Sequence, residues 1–97
     1  MIRHIVMFKL LDGFTRDDPQ VVATRQALAD LGPTLAIVRA WEVRECFGER
    51  PVSHDFVLIS EFDDEGDLAE YAVDPDHQKV IARLDQIAVP AVADFRI

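Results

Sequence analysis

The 97-residue sequence contains one cysteine, Cys46, so no internal disulfide braces it. A domain this small must then hold together through its core and, where one chain's core is short, through a partner. A reducing compartment suits such a chain, and the expected location is cytoplasmic. No apolar stretch approaches the ~18 residues of a membrane span. Arg3, His4 and Lys9 interrupt the apolar opening residues, so neither a membrane anchor nor a signal peptide is expected. Glycine is scarce, at four residues, and none builds a phosphate-cradling loop or a dinucleotide fingerprint. No cofactor is expected. Positive charge is also scarce after residue 50: eleven Asp and Glu stand against three Lys and Arg there, whereas the first fifty residues hold seven of each. The whole net charge of -8 therefore lies in the second half. Such a field opposes phosphate backbones and anionic lipid, which removes nucleic acid and membrane surfaces from the expected partners.

What is present reads as one domain over residues 1–97. Met1 to Leu11 alternates as a strand, with Ile2, His4, Val6, Phe8 and Leu10 on one face and Arg3, Ile5, Met7 and Lys9 on the other. Ile5 and Met7 give the second face an apolar centre as well, which predicts that this face too is covered. Asp18-Pro19 is a helix start: the carboxylate caps free N–H groups and proline at the first position loses no intrahelical bond. Val21, Thr24, Leu28 and Leu31 make the buried stripe of that helix, and Gly32-Pro33 ends it, glycine being expected for its freedom to adopt a terminating conformation.

Ile37 to Cys46 and Phe56 to Phe62 have strand content, the second with Phe56, Leu58, Ser60 and Phe62 on one face. The carboxylates Asp63, Asp64, Glu65 and Asp67 open a short helix whose inner face is Leu68, Tyr71 and Ala72. Asp74-Pro75 ends it and starts the next, where His77, Val80, Ile81, Leu84 and Ala88 follow a core-facing helical spacing. Val89 to Ile97 is the last strand, with Pro90 at its start. The order predicts an α+β, ferredoxin-like βαββαβ sandwich: a four-stranded antiparallel sheet with helices on one side. The second apolar sheet face then predicts a homodimer, two sheets closing into an α/β barrel.

The candidate chemistry is concentrated on one side of this sandwich. His77 lies on an apolar helix face within the first turn, where the positive helix end favours neutral imidazole, the form that accepts a proton. Tyr71 is placed to orient it or to donate to a carbonyl, and His4 projects from the strand face that bears Val6 and Phe8. The expected cavity lies between sheet and helices, lined by Val6, Phe8, Phe56 and Leu84, and suits an apolar or aromatic small molecule. Competing structural readings exist for each residue. An inward histidine is often a core residue satisfied by backbone groups. A metal held by His4, His77 and an acidic neighbour lacks any short ligand motif, so no metal is expected. Cys46 has no evident base partner, and Trp41 fits a core or dimer-interface role.

These residues also carry a resemblance. The opening Met1-Ile-Arg-His4-Ile-Val-Met-Phe-Lys-Leu10, the segment Ser60-Glu-Phe-Asp63, and Leu68, Tyr71, Pro75 and His77 together resemble the Dabb family, the stress-responsive dimeric α/β-barrel domains. The resemblance covers essentially the whole chain and implies the same fold and a homodimer. Within that family, a plant polyketide cyclase that forms olivetolic acid has functional residues at positions matching His4, Tyr71 and His77. Two positions depart from it: the His-Pro-x-His pattern is Asp74-Pro75-Asp76-His77 here, and a further strand histidine falls at Phe56. Two functions follow as expectations. One is a homodimeric stress-response protein that binds a small apolar or aromatic ligand. The alternative is a cofactor-free acid–base enzyme, polyketide cyclase-like or an isomerase, with His77 as general base, Tyr71 positioning and His4 assisting.

Overall fold

The computed structural model describes all 97 residues. Strand β1 (Ile2–Leu10) leads to helix α1 (Pro19–Leu31) and a 3-10 turn at Gly32–Thr34. Strands β2 (Val38–Glu45) and β3 (Phe56–Phe62), helices α2 (Glu65–Ala72) and α3 (Pro75–Asp85), and strand β4 (Ala88–Arg96) follow. The sheet is antiparallel throughout, in the order β2-β3-β1-β4. The expected βαββαβ sandwich is therefore present, with the second helical segment split in two.

The three helix starts share one device. Asp18 accepts a hydrogen bond from the Gln20 N–H at 2.8 Å, Asp64 from Asp67 at 2.9 Å, and Asp74 from both Asp76 and His77 at 2.9 and 3.0 Å. Each such cap contributes about 1 kcal/mol. Much of the acidic excess thus serves to begin helices. The buried face of α1 is Val21, Thr24, Leu28 and Leu31. It packs on Val6 and Phe8 of β1 and on Phe56 and Leu58 of β3, with Leu84 and Ile87 closing the core.

At the far end of β1, Asp55 fastens the β2–β3 loop. Burial opposes its ionisation, but the Leu10 N–H at 2.7 Å, Arg16 at 2.9 Å and nearby Lys9 outweigh that and hold its carboxyl below the usual range. The loop stays pinned although Phe47 at its tip is 93% exposed.

Two expectations need correction. Ala88 does not end the last helix. The helix stops at Asp85, Ile87 drops fully buried into the core, and its carbonyl accepts from Leu11 N–H at 2.8 Å, which makes Ala88 the first residue of β4. Gly32 is not in the left-handed region: its φ of -52° and ψ of -50° are right-handed. Glycine is required there for space, since a Cβ would lie 2.1 Å from Cγ of Trp41. The indole is seated over that gap, and its Nε1–H donates to the Leu28 carbonyl at 3.0 Å. The second sheet face is left open within one chain, as expected of a face reserved for a partner, because every helix packs on the other side and the sheet is not closed. Ile5, Val57 and Ile59 are half-buried and Met7 is exposed on that face.

Gly32→Ala is expected to destabilise the fold by about 1–3 kcal/mol through overpacking against Trp41. Chemical denaturation measures this, and a variant as stable as the parent would show that the indole moves aside freely.

Candidate functional site

The side chains that face the helices from β1 and β4 are set by their register. His4 stands opposite Ser60 of β3 and Asp94 of β4, and the Ser60 hydroxyl donates to the His4 carbonyl at 3.1 Å. Nδ1 of His4 is directly hydrogen-bonded to an Asp94 carboxylate oxygen. A carboxylate at Nδ1 favours the tautomer with its proton there and its lone pair at Nε2.

His77 arrives from the opposite layer, on the first turn of α3, which Asp74 caps. Tyr71, the one buried residue of α2, stacks on it with ring centroids 3.8 Å apart and planes 29° from parallel. The same tyrosine meets His4 edge-on at 5.8 Å. Phe62 and Trp41 pack around its other sides, at 5.1 and 5.8 Å. Three aromatic side chains from three elements thus form one contiguous cluster, His4–Tyr71–His77.

They converge on a cavity of about 250 Å³ that opens to solvent, ten of whose fifteen lining residues are hydrophobic. This lies just under the ~300–1,000 Å³ of drug-sized pockets and suits a molecule of one or two rings. His4, Tyr71, His77, Val6, Phe8 and Leu84 all line it, as expected. Phe56 does not. It is 1% exposed and stacks behind Phe8, centroids 4.6 Å apart, so the strand's inward alternation put it in the core and one layer too deep. Nine further residues line it that local pattern did not point to: Leu28, Leu58, Leu68, Ala72, Ile81, Asp85, Pro90, Val92 and Asp94. Val92 and Asp94 share one strand face by alternation, but only the β1–β4 register shows that this face meets His4.

The electrostatics follow from burial. Burial pushes the His77 imidazole below its ordinary value and His4 adds to that, against the opposing carbonyls of Ala72 and Tyr71 and the Asp74 carboxylate. Its Nδ1 is buried without a hydrogen-bond partner. At neutral pH the ring is therefore uncharged and able to take a proton. Burial, with the Asp74 carboxylate, pushes the Tyr71 phenol above its ordinary value, so it remains a donor. No group of three or more His, Cys, Asp or Glu is arranged to hold a metal ion. Cys46 is half-buried in the connection after β2, outside the residues that line the cavity.

Residues 2–96 match the model of the Dabb family, described as the stress responsive A/B barrel domain. An uncharacterized protein of Streptomyces coelicolor is 39% identical over 95 residues, which cover 98% of each chain. Among solved structures, a dimeric ferredoxin-like protein of unknown function from Thermobifida fusca is similar with a TM-score of 0.85 and 25% identity, over 99% of this chain and 90% of that one. A hydroxynitrile lyase from Passiflora edulis has a TM-score of 0.83 at 15% identity, over 99% and 92% respectively, a likeness of fold. No helix is long and apolar enough to cross a membrane.

The lowered value of His77 ties stability to pH. A folded-state value below the unfolded one means that the unfolded chain binds more protons, so stability is complete above about pH 6.5 and declines as pH falls toward the folded value. His77→Gln is expected to flatten that limb in denaturation curves between pH 7 and 5. An unchanged slope would mean that His77 is not held neutral.

Proposed function

Given that this chain belongs to the Dabb family of stress-responsive A/B barrel domains, we propose that it acts as a cytoplasmic homodimer whose cavity receives a small apolar or aromatic molecule. One observation carries the reading: a single aromatic cluster, His4, Tyr71 and His77, lines one apolar cavity that is open to solvent. One ring nitrogen of His77, Nδ1, is buried without a hydrogen-bond partner. A role in the stress response accords with the family's description.

The open sheet face supports the dimer. Ile5 and Met7 of β1 lie in register with Ile59 and Val57 on one side and with Ala93 and Ala91 on the other, a continuous apolar surface at the centre of the sheet. The Thermobifida fusca neighbour is dimeric. Two such faces packed together bury what one chain leaves in water and complete an α/β barrel.

A second reading, acid–base catalysis without a cofactor, is favoured by the way the two imidazoles differ. His77 is neutral and unpaired at Nδ1, while His4 is oriented by a carboxylate. His77 would remove a proton beside a carbonyl, Tyr71 would hydrogen-bond the developing enolate, and His4 would assist proton return. The positional match of these three residues to a plant polyketide cyclase supports this, and the Passiflora edulis neighbour is a lyase of the same fold.

Two measurements test these readings. In solution the mass is expected to be twice 11.0 kDa, and Met7→Glu to halve it; a monomeric parent at micromolar concentration would refute the dimer. With 2-acetylnaphthalene as a probe ketone in D₂O, methyl hydrogen exchange is expected to fall about 10²-fold in His77→Ala while the dimer persists. Equal rates in parent and variant would leave the ligand-binding reading without the enzymatic one.

A further inference from the structure

We propose that the ligand of this cavity is uncharged at its polar end, a carbonyl or hydroxyl compound, and that carboxylates and phosphates are excluded. This rests on the reading of the cavity as a ligand site and names the chemical class it accepts.

The charged residues that line the cavity are Asp85 and Asp94, and no Lys or Arg is among them. An anion placed there meets two carboxylates and no cation. Arg96 lies two residues beyond Asp94 on the same strand face, but its guanidinium is bound to Glu65 of α2. The chain's other concentration of basic side chains lies in a separate recess, where Arg16 is held by Asp55, Glu49 and the Gly48 carbonyl, and Lys9 by the Ser53 carbonyl at 2.6 Å. The overall charge of -8 adds to the repulsion.

A cation is disfavoured for a different reason. Asp94 is already engaged by His4, and Asp85 is an exposed, solvated residue at the rim. An ammonium group buried against the apolar walls would lose its water shell and find no free carboxylate to balance its charge. What the site does offer is uncharged hydrogen-bonding groups, the Tyr71 hydroxyl and the His77 imidazole, surrounded by Val6, Phe8 and Leu84. Those groups satisfy a carbonyl or hydroxyl oxygen at no cost in buried charge.

The test uses three naphthalenes that differ only in the polar end: 2-acetylnaphthalene, 2-naphthoate and 2-naphthylmethylammonium. Each is titrated into the full-length protein while the backbone amides of Ile81 and Leu84 are followed by NMR. The ketone is expected to shift these amides and to bind at least tenfold more tightly than either ion. An ion that binds as tightly as the ketone overturns the proposal and leaves the cavity a ligand site. Failure of all three to shift these amides removes the cavity reading and the proposal with it. In Asp94→Asn the advantage of the ketone over 2-naphthoate is expected to shrink at least threefold, and an unchanged advantage overturns the electrostatic origin assigned to that carboxylate.

Discussion

The central strand β1 is hydrogen-bonded along both edges, to β3 on one side and β4 on the other, and the rest of the molecule hangs on the register of those two ladders. Side chains in a strand alternate, so a slip of one residue would turn Ile2, His4, Val6 and Phe8 out of the core and Arg3, Ile5, Met7 and Lys9 into it. The burial of the first set fixes the register. Once it is fixed, His4 must face Asp94, and the carboxylate that orients the imidazole comes from a strand ninety residues away.

The helical layer is organised by a comparable economy. Asp74 ends one short helix and caps the next, so Tyr71 and His77 are brought face to face across a tight corner. The cap satisfies the amide of His77 itself, which sets the first turn of α3 and with it the direction of the ring. The position that buries the imidazole also strips it of water, and burial keeps it neutral. Fold and reactivity therefore share one cause at this corner.

The two faces of the sheet divide the labour. Helices cover one face and leave a cavity where α2, α3 and β4 meet only loosely. The opposite face carries an apolar centre edged by charged residues, Arg3 with Glu61 and Arg44 with Glu42. Charges at the rim and apolar groups in the middle are the arrangement of a surface that meets another protein. A chain of 97 residues with one cysteine thus relies on packing within its own helices for one face and on association for the other.

Alternation in β1 and β3, the Asp-Pro helix starts and the inward stripe of α1 were legible in the sequence, because each depends on neighbours within a few residues. The inward placement of His4, Tyr71 and His77 was legible for the same reason. Other features lay beyond local pattern. Gly32 owes its identity to an indole nine positions away, and Phe56 lies behind Phe8, stacked on it across the β1–β3 pairing, where no cavity reaches it. Asp94 becomes part of the site only through strand pairing, and the absence of Lys and Arg from the lining depends on which side chains six separate elements bring together. Local periodicity by itself determined the elements and which face of each is buried. Only the tertiary structure decided which buried faces meet, since register and packing are settled by contacts between residues far apart in the chain.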